Sequence, residues 1–220
     1  MNDGNTRRGI RTTVITLVVV VIAILSGFTY KLTKPRILNS QELRENGALV
    51  LEKPRRFSEF EMVSHRGEAF GKKDLEGKWS LVFFGFTQCP DACPTALAAA
   101  AKMYRELKPE EQQDLQVILV SLDPERDTSD VLAQYVPYFH PDFIGVSGDP
   151  YVTLKLATEL NVAYTKVATG EPGSGDYTIE HTGNLLLLNP FGDYHALFRP
   201  PFEEGSMRVA WRSIRYQFKH

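Results

Sequence analysis

Cys89 and Cys93 are the two cysteines of this 220-residue chain, and they stand four residues apart in the run FTQCPDACP. The apolar stretch LVFFGF (81–86) comes directly before them. On a helix, positions i and i+4 share a face, so both sulfurs can point at one atom or at each other. Two chemistries follow, soft-metal binding and thiol–disulfide exchange. A pair of small buried hydrophobes is the plain alternative, but it predicts scattered positions instead of adjacency beside Pro90 and Pro94. Near the amino end of a helix the dipole and the unpaired amides favour a thiolate. An i, i+4 pair has alpha carbons about 6 Å apart, within reach of a disulfide. An oxidised pair cannot bind a metal, so redox state would switch metal loading.

A metal reading needs a third ligand. Soft thiolates favour Cu(I), and imidazole tolerates both copper oxidation states. Two thiolates and one histidine make a three-coordinate set, open enough to pass the metal on. Structural zinc would normally be closed by four protein ligands and would have to recruit another histidine or a carboxylate. Of the five histidines, His65 sits in a turn, His140 lies between Phe139 and Pro141, His195 falls inside a hairpin strand and His220 is terminal. His181 follows a polar loop and precedes a buried strand, where a hinged ligand could close over the thiols. A lone histidine is more often a hydrogen-bonded surface residue, so position alone leaves His181 open. Met62, Met103 and Met207 are not spaced to complete a copper set and read as core or surface residues.

Redox chemistry is the competing class. Thioredoxin-type oxidoreductases use two residues between the cysteines, and here three intervene. A peroxidase of peroxiredoxin type would want a TxxC pattern, and Thr87-Gln88-Cys89 is one residue short.

The elements around these residues suit an α/β domain. Residues 57–62 and 69–70 flank a turn at Arg66-Gly67 and read as a hairpin; 80–86 and 115–122 read as fully buried strands. ALAAAAKMYREL (96–107) is rich in strong helix formers and ends before Pro109. Asp127-Thr128-Ser129-Asp130 supplies N-cap candidates for a helix through Val136. A strand at 143–146, a helix over 151–160 opened by Asp149-Pro150, a polar and mobile loop at 170–176, a hairpin formed by 185–188 and 194–198, and a terminal helix over 203–218 complete the order. The predicted class is α/β with a mixed central sheet. The thiol pair falls at the carboxyl end of the first long strand, where open α/β sheets place their sites. Asp123 follows the second strand at the same end of the sheet, either as a turn cap or beside the site. Asp91 reads as a turn former that also offers negative charge to a partner.

Residues 12–30 carry no charge, and 14–25 are almost all Val, Ile and Leu. Nineteen residues at about 1.5 Å each span roughly 28 Å, close to the hydrocarbon thickness of a bilayer. A single transmembrane anchor is expected, with residues 1–11 as a short cytoplasmic tail, 31–56 as a linker and 57–220 as the working domain. A cleaved signal peptide fits Ile24-Leu25-Ser26-Gly27 only in part, and a lipoprotein would need cysteine where Phe28 stands. Arg7, Arg8 and Arg11 before the span nearly balance Lys31, Lys34 and Arg36 after it, so charge alone does not orient it. The thiol pair favours the large domain on the periplasmic side of the inner membrane. A net charge of −2 offers no electrostatic case for nucleic acid.

The runs FGFTQCPDACP (84–94), SLDPERDT (121–128) and EHTGNLLLLNPFG (180–192), with the Gly77-Lys78 turn, make the chain similar to the SCO/SenC family. These are thioredoxin-fold, membrane-anchored copper chaperones that help assemble the dinuclear copper centre of cytochrome c oxidase subunit II. The resemblance covers about 57–198. It implies a thioredoxin-like fold, copper as Cu(I) and also Cu(II), and Cys89, Cys93 and His181 as ligands. It further implies an upstream copper donor, delivery to subunit II, and a role for Asp123 in metal transfer or partner docking. Family members are also considered reductants of the oxidase cysteines, which keeps a thiol–disulfide oxidoreductase as the alternative. Gln88 stands where many relatives carry His, and Glu180 where Asp is common; neither is a ligand position.

Overall fold

The computed structural model describes residues 3–33, 37–171 and 174–219. Lys34, Arg36, His220 and, within the loop expected at 170–176, Pro172 and Gly173 lie outside them. Two compact units result, Met1–Arg36 and Ile37–His220. The first is one helix, α1 (Asp3–Thr33), whose stretch Ile10–Tyr30 is long and apolar enough to cross a membrane.

The second unit is built on an eight-stranded mixed sheet. Its strands are β1 (Ala48–Arg55), β2 (Glu61–Ser64), β3 (Ala69–Gly71), β4 (Trp79–Gly85), β5 (Leu115–Ser121), β6 (Ile144–Ser147), β9 (Leu185–Leu188) and β10 (Tyr194–Phe198). They lie in the order β1-β10-β9-β4-β5-β6-β2-β3. The strands β4, β5 and β6 run parallel, and β9 runs antiparallel to β4. Every residue of β4 and β9 is buried, as their largely apolar sequences require of central strands. Between β6 and β9 in chain order, β7 (Tyr164–Ala168) and β8 (Tyr177–His181) form a separate two-stranded sheet.

Helices cover the sheet: α3 (Ala92–Arg105), α4 (Pro109–Gln113), α5 (Ser129–Phe139), α6 (Pro150–Glu159) and α7 (Glu204–Lys219). The caps are local chemistry. Thr128 opens α5 by accepting from the Val131 amide, and Asp149 opens α6 by accepting from the Tyr151 and Val152 amides. Met207, Ala210, Trp211 and Ile214 bury one face of α7 at helical spacing. Met62 and Met103 are core residues like Met207.

Three expectations are corrected here. The segment 31–56, read as a linker, contains α2 (Ser40–Glu45) and the edge strand β1. Asn39 closes a capping box with Glu42, Leu38 and Leu43 are buried, and the Leu38 amide donates to Ser213 Oγ on α7 at 3.0 Å. β1 pairs with β10, about 150 residues away in sequence, a partner that no local pattern announces. Second, the helix after the cysteines begins at Ala92 and not Ala96, so Cys93 is helical while Cys89 lies in the turn before it. Third, residues 164–168 and 177–181 form a hairpin where no strand pair was expected. Only Ile179 of its ten strand residues is fully buried, too little apolar alternation for the pattern to declare itself.

Candidate metal centre

The sheet brings three donors together. At the carboxyl end of β4 the chain turns through Thr87 and Gln88 to Cys89, then enters α3 one residue before Cys93. The Cys93 amide donates to Cys89 Sγ at 3.3 Å, fixing the first sulfur over the start of the helix. His181 ends β8, four residues ahead of Leu185. Because Leu185 pairs antiparallel with Phe83, the residues before it continue past the carboxyl end of β4. His181 thereby returns to the thiols from the other end of the sequence. Its Nε2 lies 3.6 Å from Cys93 Sγ, and the ligand atoms of Cys89, Cys93 and His181 all fall within 4.8 Å of one another. Among the described residues this is the His/Cys/Asp/Glu trio grouped as metal-capable.

Protonation follows from the surroundings. The Thr182 carbonyl lies 3.1 Å from His181 Nδ1 and can only accept, so Nδ1 carries the proton and Nε2 presents its lone pair to the sulfurs. Burial holds the imidazole pKa below its ordinary value, and the rings of Phe83 and Phe86 meet it edge-on at 5.7 and 6.2 Å. The neutral ring is the ligating form. Burial, followed by the hydrogen bond with Cys89, pushes the Cys93 thiol well up. At Cys93 burial opposes the thiolate that the helix terminus was expected to favour. A metal entering here must displace that proton. Cys93 is fully buried and Cys89 partly exposed, and both are free thiols.

Gly85 forms the floor under the second sulfur. A Cβ built there would stand 2.8 Å from Phe83 Cε1 and 2.9 Å from Cys93 Sγ. Gly85→Ala is expected to destabilise the fold by about 1–3 kcal/mol through overpacking, read by urea unfolding. A change below about 0.5 kcal/mol would mean that the site yields without strain.

Asp123 lies beside the trio and not in it. It is fully buried; its Oδ1 accepts from the Tyr177 hydroxyl at 2.8 Å and its Oδ2 pairs with Arg126 Nε. Asp91 is the N-cap residue of α3, where its carboxylate accepts from Thr95 Oγ1. Of the other histidines, His65 accepts from the Gly145 amide, His140 from the Asp142 amide, and His195 packs against Trp79 and Phe218.

Sequence reasoning missed Asp127 and Arg126. Asp127 was a helix-cap candidate; instead its buried carboxylate accepts from the Thr87 amide (3.1 Å), Thr87 Oγ1 (2.5 Å) and Ser121 Oγ (2.6 Å). It ties the cysteine turn to the end of β5. The signal available was the charge density of DPERD directly after a buried strand.

A family model described as SCO1/SenC matches residues 51–214. The chain belongs to the SCO1/SenC family. This SCO1/SenC protein shares 34% identity with a relative from Stutzerimonas stutzeri over 76% of the chain and 81% of that protein. It shares 35% with the mitochondrial SCO2 homolog of Homo sapiens, over 64% of the chain and 54% of the human protein. The chain thus spans about half the length of the human relative. The crystal structure of Arabidopsis thaliana ScoI with copper bound superposes with a TM-score of 0.67 at 30% identity, covering 73% of this chain and 98% of that one. The SCO1/SenC domain here has the thioredoxin-like fold of that structure, as the sequence led us to expect.

Proposed function

We propose that this protein is a membrane-anchored copper chaperone that holds copper through Cys89, Cys93 and His181 and delivers it to cytochrome c oxidase subunit II. The observation that carries the proposal is the convergence of two sulfurs and one imidazole nitrogen within 4.8 Å at the working end of the sheet. Two thiolates and one neutral imidazole suit Cu(I), and three donors leave the metal accessible to a receiving site. The copper held by the Arabidopsis relative supports the choice of metal. Copper is cargo here: it arrives from an upstream donor and leaves to the oxidase. The apolar helix Ile10–Tyr30 supports a membrane anchor, and the thiol pair favours placing the domain on the periplasmic side of the inner membrane.

One observation favours a second activity. Cys89 is partly exposed and Cys93 is buried behind it, the disposition of an attacking and a resolving thiol. A Cys89 thiolate could attack a substrate disulfide, and Cys93 would then release the reduced substrate by closing the internal disulfide. Anaerobic titration of the reduced full chain in detergent with Cu(I), against a chromophoric chelator, separates the two activities. One tightly bound Cu(I) per chain is expected. Turnover of disulfide substrates without copper binding would overturn the chaperone reading.

A further inference from the structure

The hairpin that carries His181 is fastened at two points. At one end β8 runs through three residues into β9, with Thr182 bonding back to Ala163 through its amide. At the other end stands Tyr177, the first residue of β8, held by the side chains of Arg126, Asp123 and Lys166. The Arg126 guanidinium carbon lies 3.8 Å from the centre of the Tyr177 ring, and its Nη1 donates to the Tyr177 carbonyl at 3.2 Å. Arg126 Nε pairs with Asp123, whose other oxygen accepts from the Tyr177 hydroxyl. The same Nη1 donates to Gln88 Oε1 at 3.0 Å, and Gln88 is the neighbour of Cys89.

These contacts give one planar group a grip on both halves of the site. A strand rises about 3.3 Å per residue, so Tyr177 and His181 are roughly 13 Å apart along a stiff rod. Fixing the far end of the rod fixes its angle, and the angle aims the imidazole. The hairpin is otherwise tied to the same loop by Lys166, whose Nζ pairs with Glu125 at 2.7 Å. It pairs with no strand of the main sheet, and among its strand residues only Ile179 is fully buried in the core. Among these contacts Arg126 Nη2 is buried without a hydrogen-bond partner among the described residues.

We propose that Arg126 is a positioning residue of the metal centre: through Tyr177 it aims the His181 strand, and through Gln88 it holds that strand in register with the Cys89 turn. The proposal rests on the copper reading above. Lysine keeps the charge but has no fork to bridge Tyr177, Asp123 and Gln88, so Arg126→Lys is the informative substitution.

The experiment has two arms, both on the full chain in detergent. In the first, Cu(I) affinity is measured by chelator competition for the wild type, Arg126→Lys, His181→Ala and the double variant. Arg126→Lys should bind about 10-fold or more weaker, the scale of losing a group that orients a ligand. Added to His181→Ala it should cost less than about twofold, because a group acting through His181 has nothing left to aim. Equal losses on both backgrounds, or wild-type affinity in Arg126→Lys, would overturn the proposal. A wild type that binds no Cu(I) would overturn the copper reading instead.

The second arm needs no copper. Amide exchange in the apo protein should quicken in Arg126→Lys across 178–181 while β4 and β5 keep their protection. Unchanged exchange, or a uniform rise, would sink the idea. Should Arg126→Lys fail to fold, Gln88→Ala at its exposed position repeats both arms. It removes only the cysteine-side contact, so a loss of roughly threefold is expected, again absent without His181.

Discussion

Replacing His181 with alanine should weaken Cu(I) binding by more than about 100-fold, above the 10–100-fold usual for losing a group that only orients a ligand. The reason is the donor count. With three donors within 4.8 Å, removal of Nε2 leaves two sulfurs, and the metal must still displace the proton from the buried Cys93 thiol. Cu(II), which relies more on nitrogen, should no longer bind. The fold should survive, because the His181 side chain contributes one hydrogen bond to the neighbouring carbonyl and two edge contacts to Phe83 and Phe86. Chelator competition gives the affinity, and the ultraviolet thiolate–copper band gives the ligand set. An affinity within about threefold of wild type, less than one kcal/mol, would remove His181 from the site.

Asp127→Ala should cost the most stability, about 3–5 kcal/mol, though Asp127 touches no metal ligand directly. Its carboxylate is fully buried and receives three donors, the Thr87 amide and hydroxyl and the Ser121 hydroxyl. Truncation strands those donors away from water, at about 1–3 kcal/mol for each that finds no new partner. Thr87 stands two residues before Cys89, so the loosened turn should also hold copper less tightly in the fraction that folds. Urea unfolding of apo wild type, Asp127→Asn and Asp127→Ala measures the first effect, with the amide expected to fall between the other two. A loss under about 1 kcal/mol in the alanine variant would mean that water replaces the carboxylate at little cost.

Both substitutions act where parts of the chain far apart in sequence meet. The parallel strands and the helices around the cysteines were legible because they are long apolar runs bounded by caps and prolines. β1 was not, since its sequence ALVLEKPR is apolar for only half its length and its partner comes at the other end of the domain. The β7–β8 hairpin was missed for a related reason. Its strands are mostly half-buried or exposed without alternation, and its fastening is made by side chains of Arg126, Asp123 and Lys166, which leave no periodic trace.

By itself the sequence determined the α/β class, the apolar helix ahead of the domain, the cysteine pair as the place to look, and His181 as the histidine to watch. All of these are short-range signals: periodicity, spacing, and motifs that make the family recognisable. Only the tertiary structure decided that Cys89 sits in the turn and Cys93 in the helix, and that burial raises the pKa of the latter. It also decided which His181 nitrogen faces them, and that Asp127 and Arg126 brace the arrangement. Those properties depend on desolvation and on hydrogen bonds between groups 40 to 88 residues apart. Neither exists until the sheet has brought those groups together.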